Sequence, residues 1–190
     1  MTHVTNENAL PHKSPKRFLM LAYRMPQKPT TSRVAVWRAL KKSGAIYLQD
    51  SVCVVPDTAP MRRELTPILE RIDAADGRYH LLPLGSPPAP ELDKLVSLFI
   101  EQSSHHYHEI IENCEVNFVK EIEFEIFRGN FTYEEAEEIR MEFEKIVTWF
   151  ERVTARDWFG APNRADAIAW INRCEKMLED FETKVFHGES

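Results

Sequence analysis

The stretch PTTSRVAVWRALKKSGAIYLQDSVCVVP, Pro29 to Pro56, decides the fold of the first half of the chain. Thr31 or Ser32 can cap a helix that stops at Gly44. The segments AIYLQD and VCVVP follow as two short strands, separated by a tight turn around Asp50. The helix is basic although the chain has a net charge of −6, so we ask what its basic side chains contact.

Three further predicted elements, on either side of this stretch, complete the first half. RFLMLAYR, Arg17 to Arg24, is a predicted strand, and RYHLLPL is another. Between them, APMRRELTPILERIDAADG predicts a second helix ended by Gly77, with Pro67 either in its first turn or at a kink. The order β-α-β-β-α-β predicts a ferredoxin-like sandwich over residues 17–86, with four antiparallel strands and both helices on one face.

Both faces of the first predicted strand are apolar. One face carries Leu19, Leu21 and Tyr23, and the other carries Phe18 and Met20. A sheet with two apolar faces must be covered on both. The cover for the second face is either the C-terminal half or a second subunit of a homodimer.

The second half, after the proline-rich segment LPLGSPPAPEL, predicts an acidic three-helix antiparallel bundle over residues 90–187. The first helix runs from about Glu91 to Phe127 and is ended by Gly129. The second begins at Thr132, which can form a capping box with the glutamate three residues later. Its apolar side at helical spacing consists of Ala136, Ile139, Phe143, Ile146, Phe150 and Val153. The third begins near Asn163. The fold class is therefore α+β.

Composition limits the cellular setting. The chain has 190 residues and 43% hydrophobic content, enough for one sizeable core or two small ones. The three cysteines are too far apart in sequence for a CxxC metal-binding motif, and we expect them to be reduced, mostly buried thiols. They are Cys53, Cys114 and Cys174. Residues 1–16 form a predicted disordered arm without the apolar run of a signal peptide, and no segment is apolar enough to span a membrane. We expect a cytoplasmic protein with no membrane partner.

The two halves differ in charge. Residues 1–90 hold 13 Lys and Arg against 7 Asp and Glu, a net +6, whereas residues 91–190 hold 11 against 23, a net −12. This asymmetry favours a polyanionic partner for the first half. The alternative is that the halves attract each other.

Basic residues of the predicted first helix are candidates for contacts with the DNA phosphate backbone. Helical spacing points Arg38 and Lys42 away from the apolar side, with Lys41 beside them. The alternative for these three is a solvated helix face. Further cations are Arg62 and Arg63 near the second helix start, and Lys13, Lys16 and Arg17 in the N-terminal arm. No residue can be assigned to reading bases.

Arg33 falls within the apolar arc of the same helix, beside Trp37, which we expect to be buried. A guanidinium in that position needs a carboxylate or a ligand anion. It can pair with Asp50 or Asp57 while stacking on Trp37. Alternatively, it forms an anion-binding pocket for a small oxyanion together with Arg24, at the end of the first strand.

The segment HHYHEIIENCE places His105 with Glu109, and His108 with Glu112, at the i, i+4 spacing of metal ligands. Two more ligands would have to come from another helix, where Glu138 and Glu142 are available. A solvated helix face rich in ion pairs explains the same residues. We assign no metal and no cofactor.

Catalytic signatures are missing from the sequence. It contains no GxSxG, P-loop, HExxH or dinucleotide fingerprint. The first strand ends in Tyr23 and Arg24 rather than in an aspartate that could hold a metal. We therefore assign no catalytic residues.

Two segments resemble a known family: SRVAVWRALKKSGAIYLQDSVCVVP and GNFTYEEAEEIRMEFEKIVTWFERVTARDWFGAP. They are similar to the N-terminal domain of the ChrB family, bacterial proteins linked to chromate resistance, and the resemblance covers residues from about 17 to 186. Its most specific parts are Arg33, Trp37, Arg38, Leu40 and Gly44, and the turn formed by Arg156, Asp157, Phe159 and Gly160.

The family implies a regulator that binds promoter DNA through its N-terminal domain and responds to chromate through a further C-terminal domain. This chain ends at Ser190, where that sensor domain would begin, so only the DNA-binding role carries over. The resemblance thus implies a ChrB-like transcription regulator that is not an enzyme. Two alternatives remain: a dimerisation or scaffold module whose basic helix is masked by the acidic bundle, and an enzyme that uses Arg24 and Arg33 on a small oxyanion.

Overall fold

The computed structural model describes residues 15–28, 30–85 and 87–188, which form a mixed α+β chain. The predicted order of elements in the first half is confirmed, and most of the predicted arm, residues 1–16, lies outside the described residues. The first-half elements are β1 (Phe18–Arg24), α1 (Thr30–Lys42), β2 (Ile46–Gln49), β3 (Val52–Pro56), α2 (Ala59–Ala74) and β4 (Arg78–Gly85). The second half contains α3 (Ala89–Glu112), a π-helical segment (Asn113–Phe118), α4 (Val119–Arg128), α5 (Tyr133–Ala155) and α6 (Arg164–His187).

The described residues divide into two compact units. The sheet unit lies within Lys13–Phe99 and the helical unit lies within Ile100–Ser190. The first eleven residues of α3 therefore belong with the sheet.

The four strands form one antiparallel sheet in the order β2-β3-β1-β4. β1 is central, with Leu21 opposite Cys53 of β3 on one side and Leu81 of β4 on the other. The tight turn predicted between β2 and β3 is confirmed, and Ser51 adopts a left-handed φ of 65° there. This turn lies next to the end of β1, since the Tyr23 N–H donates to the Ser51 carbonyl at 2.9 Å.

Gly77 fixes the end of β1 against the end of α2. A Cβ at this position would lie 2.7 Å from Cγ2 of Ile72 and 2.9 Å from the carbonyl oxygen of Arg24. Only glycine allows that close approach. Arg24, opposite Arg78 of β4, is therefore held at a well-defined corner of the sheet.

The second face of the sheet is covered in part by α3. The rings of Phe18 and Phe99 stack with centroids 6.0 Å apart and an interplanar angle of 18°. Phe18, Leu95 and Phe99 are buried. Of the two predicted covers, the chain itself supplies this one.

α5 and α6 form the core of the helical unit together with the π-helical segment and α4, and α6 contacts the other three. The side of α5 that we predicted as apolar is the buried side. Thr132 caps α5 as predicted, because its Oγ1 accepts the N–H of Glu135 at 3.3 Å. All six predicted apolar positions of α5 are buried: Ala136, Ile139, Phe143, Ile146, Phe150 and Val153.

The predicted single helix from Glu91 to Phe127 is interrupted by the π-helical segment. Buried residues on this part of the chain recur every four residues, at Ile110, Cys114, Phe118 and Ile122. A spacing of four exceeds the 3.6 residues of an α-turn, so these side chains would drift around a regular helix. The wider π turn keeps them on one side.

All three cysteines are buried with free thiols, as predicted. Within the described part of the chain, none of the helices combines the length and the apolarity needed to cross a membrane.

Candidate functional site

α1 exposes every charge that it carries. Its 13 residues include four basic and no acidic residues. The buried Val36 and Leu40 define the side that packs inward, so Arg38 and Lys42 point away from it. The helix begins at Thr30, which places the predicted caps in its first turn. The exposed basic residues are Arg33, Arg38, Lys41 and Lys42.

Trp37 lies outside the core, with 45% of its surface exposed. The prediction that Trp37 and Arg33 lie on the buried side of α1 is therefore wrong. Val36 is buried instead, and the half-buried Ala35 and Ala39 lie next to it on the helix. α1 contacts α2, and alanines allow two helices to approach closely while a bulky indole stays at the edge.

A cleft of about 790 Å³, which we call the basic cleft, is lined by α1, the end of β1 and the β2–β3 turn. Three of the lining residues are spaced four apart in α1 and therefore lie along one side of this helix: Arg33, Trp37 and Lys41. Arg24 lines the cleft from the end of β1. Tyr23, Tyr47, Gln49, Asp50 and Ser51 line it from the sheet side.

Two tyrosines form a polar surface in the basic cleft. The hydroxyls of Tyr23 and Tyr47 are 2.8 Å apart, and the Lys41 ammonium lies 5.2 Å from the centre of the Tyr47 ring. Burial raises the pKa of both phenols above the ordinary value, so both are neutral. Each hydroxyl has one proton, and only one of the two is used between them. The other O–H can donate to a ligand.

The structure brings Arg24 and Arg33 to the same cleft, and neither has an ion-pair partner among the described residues. Pairing of Arg33 with Asp57 is a wrong prediction, because Asp57 accepts hydrogen bonds of 2.5 and 2.8 Å from Arg62. These hydrogen bonds lower the pKa of Asp57. Asp50 lines the cleft but forms no ion pair with the arginines in the described part of the chain.

The other residues predicted to contact DNA differ in whether a neighbouring carboxylate offsets their positive charge. Arg62 is exposed on α2, but Asp57 offsets its charge. Arg63, Lys16 and Arg17 are exposed, whereas Lys13 lies outside the described residues. The residues lining the basic cleft include none of these.

Sequence reasoning missed Tyr47 and Lys41 as cleft residues and named Asp50 only as one of two candidate partners of Arg33. One signal could have found part of the cleft: a cation, an aromatic residue and a second cation recur every four residues in α1. The contribution of the β2–β3 turn had no such signal, because it depends on strand pairing.

Side chains of the histidine-rich segment of α3 interact with one another. Glu109 lies 3.5 Å from Nε2 of His105 and 3.1 Å from Nδ1 of His106. Burial lowers the pKa of His106 despite this carboxylate. His108 and Glu112 are exposed. These contacts fit a helix face rich in ion pairs.

A second charged group, which we call the acidic cluster, consists of Glu121, Glu125 and Glu135. Their nearest carboxylate oxygens lie within 4.8 Å of one another. Glu125 is buried and accepts hydrogen bonds from Asn130 at 2.6 Å and Arg128 at 3.2 Å. Burial, followed by the charge of Glu125, raises the pKa of Glu135. Since internal donors already compensate Glu125, the cluster needs no cation to explain it.

Glu138 and Glu142, the two residues that could have supplied further ligands, line a separate cavity of about 480 Å³ beside the π-helical segment, together with Glu121 and Glu135. Glu142 also pairs with Lys145. The residues lining this cavity do not include His105 or His108.

Asp157 organises the turn between α5 and α6. Its carboxylate is buried and accepts the N–H groups of Gly160 at 3.0 Å and Ala161 at 3.1 Å, and the hydroxyl of Tyr107 at 3.2 Å. Gly160 has a left-handed φ of 78°, which favours glycine. This part of the family motif therefore has a structural role.

The fold and the basic cleft together define a class: an α+β protein that joins an antiparallel sheet unit, with cationic and aromatic side chains around one cleft, to an acidic helical unit. The chain belongs to a particular family within it, because the family model described as Protein ChrB, N-terminal, matches residues 33–190. The resemblance inferred from sequence is thus confirmed.

One curated relative is Protein ChrB of Cupriavidus metallidurans, which is 29% identical over 75 residues. Those residues are 40% of this chain and 23% of that protein. The matched segment therefore spans less than a quarter of the relative's length.

Proposed function

We propose that this chain is a chromate-resistance protein that regulates transcription by binding DNA, and that α1 supplies its main phosphate contacts. The observation that carries the proposal is the exposure of all four basic residues of α1 on a helix with no acidic residue. The family's implied role in promoter binding supports the same conclusion.

The directions of the side chains support contact with an extended polyanion. Arg38 and Lys42 point away from the packed side of α1, and Lys41 lies on its flank. Lysine and arginine side chains that project from one helix can neutralise several phosphates of a duplex at once. The residues of the first half also carry a net charge of +6, which attracts DNA from a distance.

For the architecture, we infer a ferredoxin-like sandwich followed by a three-helix antiparallel bundle. The strand order β2-β3-β1-β4 with the sequence β-α-β-β-α-β supports the first part. The shared core of α5, α6, α4 and the π-helical segment supports the second.

The test is a binding titration with the duplex upstream of the protein's own gene, performed over a range of salt concentrations. We expect Arg38→Gln, Lys41→Gln and Lys42→Gln, combined in one variant, to weaken binding at every sequence alike. The slope of log affinity against log salt should fall by up to about 3, since each lost phosphate contact removes roughly one.

A matched control removes the same number of charges from the helical unit: Lys120→Gln, Arg152→Gln and Lys176→Gln, all exposed positions. The control should retain the affinity and salt slope of the natural chain. If the α1 variant also retains them, the DNA-binding proposal fails and the scaffold alternative is favoured.

A further inference from the structure

The basic cleft has the composition of a small-molecule site. Its two arginines are not among the residues substituted in the DNA-binding test, although Lys41 belongs to both sets. Arg38 and Lys42 do not line the cleft, whereas Arg24 and Arg33 do. We propose that the basic cleft binds a nucleoside monophosphate, with the phosphate on the two arginines and the base on Trp37. This ligand site goes beyond the proposed DNA binding.

The arginines and the tyrosine pair supply the phosphate end. Arg24 and Arg33 have no ion-pair partner in the described part of the chain, so their guanidinium groups are available to an anion. Arginine binds phosphate through two parallel N–H donors, which favours it over lysine for oriented recognition. The unused O–H of the Tyr23 and Tyr47 pair adds a neutral donor.

The cleft is large enough for a ligand bigger than an inorganic anion. Its volume of about 790 Å³ falls within the roughly 300–1,000 Å³ of sites for organic ligands. Trp37 lines the cleft, is 45% exposed and has no ring contact among the described residues. A flat aromatic group stacked on this indole would remove apolar surface from water, and nucleobases stack on tryptophan whatever their identity.

The side of the cleft formed by the β2–β3 turn restricts the charge of the ligand. Asp50 places one carboxylate among the lining residues, beside the Gln49 amide and the Ser51 hydroxyl. A carboxylate accepts hydrogen bonds from ribose hydroxyls or base amino groups, but it repels additional phosphates. One phosphate with a ribose and a base fits this arrangement better than a polyphosphate does.

Isothermal titration calorimetry on the full chain tests the proposal with three kinds of probe. These are the four ribonucleoside 5′-monophosphates, adenosine without phosphate, and inorganic phosphate alone. At least one monophosphate should bind about tenfold or more tightly than either adenosine or inorganic phosphate, because it uses both ends of the cleft.

Variants then separate the two ends. Trp37→Ala should weaken monophosphate binding by about 5- to 150-fold, the effect of losing one base–aromatic stack, and leave the binding of inorganic phosphate unchanged. Trp37→Phe should restore most of the affinity because it restores an aromatic face. Arg33→Gln should weaken both monophosphate and inorganic phosphate. Circular dichroism melting checks that each variant is folded.

Arg38→Gln is the matched control, since Arg38 is an exposed arginine on the same helix that does not line the cleft. It should leave monophosphate binding unchanged while weakening binding to duplex DNA. The proposal is overturned if no monophosphate binds, if inorganic phosphate binds as tightly, or if folded Trp37→Ala retains full affinity. None of these outcomes depends on whether the chain binds DNA.

Discussion

The basic cleft and the acidic cluster both gather like charges, but among the described residues only the acidic cluster has a member, Glu125, that forms an ion pair within its own unit. Arg128 and Asn130 donate hydrogen bonds to Glu125 in the helical unit. In the sheet unit, Arg24 and Arg33 line one cleft with no ion-pair partner among the described residues.

The difference follows from burial. Glu125 is 2% exposed, and a buried carboxylate must be hydrogen-bonded or the folded state is destabilised. The basic cleft is open, so water solvates its cations and folding demands no internal partner. Compensated charge therefore indicates a role in stability, and uncompensated charge at a cleft indicates a role in binding. Four predictions test this contrast.

The largest effect is expected from removing the partners of Glu125. Arg128→Met combined with Asn130→Ala removes both side-chain donors of the buried Glu125 carboxylate, and we expect the free energy of unfolding to fall by about 3 to 5 kcal/mol. Urea denaturation measures this loss of stability. Adding Glu125→Gln to this variant should recover part of the loss, because the unpaired charge is gone. A loss below about 1 kcal/mol would show that the cluster does not depend on these donors.

Trp37 should matter much less to stability than its size suggests. Trp37→Ala removes a half-exposed wall of the basic cleft, so we expect a loss of about 1 kcal/mol or less. Phe99→Ala is the contrasting variant: its ring is buried against Phe18, and its loss should cost about 3 to 5 kcal/mol. Equal losses in urea denaturation would mean that Trp37 is a core residue.

Glu135 should make stability depend on pH. Its pKa in the folded state is raised by burial and by neighbouring glutamates. Protonation therefore stabilises the folded state, and this stabilisation is lost as the pH rises through the raised pKa. At pH 7, Glu135→Gln should be more stable than the natural chain by less than about 1 kcal/mol. The difference should shrink as the pH approaches the ordinary glutamate value of about 4.3.

Thermal melts at pH 7 and pH 5 measure this difference. Glu134→Gln is the matched control, since Glu134 is exposed in the same first turn of α5. An advantage for Glu135→Gln that stays constant between the two pH values would contradict the proposed titration.

The smallest effect is expected in the basic cleft. Arg24→Gln combined with Arg33→Gln removes repulsion with Lys41 and no internal partner, so stability should change by about 0.5 kcal/mol or less. Any change should be a gain at low salt and should disappear near 1 M salt, where charges are screened beyond about 3 Å. Arg62→Gln, which loses the Asp57 pair, should instead be destabilising. A clear loss of stability in the double variant would reveal an internal partner for the arginines.

Helices and strands could be predicted where the signals are local. Thr132 accepts the N–H three residues later, and the apolar residues of α5 repeat with the period of a helix, so both the cap and the buried side were predictable. The π-helical segment was not, because it is the response of one helix to the packing of Cys114 and Phe118 against other helices.

The candidate site was predictable only in part. Arg24 and Arg33 were recognised as a pair near one end of the sheet because strand and helix order placed them there. The exposure of Trp37 could not be predicted, since amphipathic spacing alone does not say where the centre of the buried arc lies. The pairing of Asp57 with Arg62, rather than with Arg33, depended on how α2 follows β3.

Local sequence signals set the order of strands and helices in the first half, the buried side of α5 and the division of charge between the two halves. These properties depend on periodicity, caps, glycines and composition, all of which act over short distances along the chain. Tertiary packing alone selected the side of α1 that faces inward and brought Arg24, Trp37 and Asp50 to one cleft. Both outcomes depend on contacts between residues far apart in sequence. The local pattern of α1 allows several orientations of the helix equally well, and packing against other elements selects one of them.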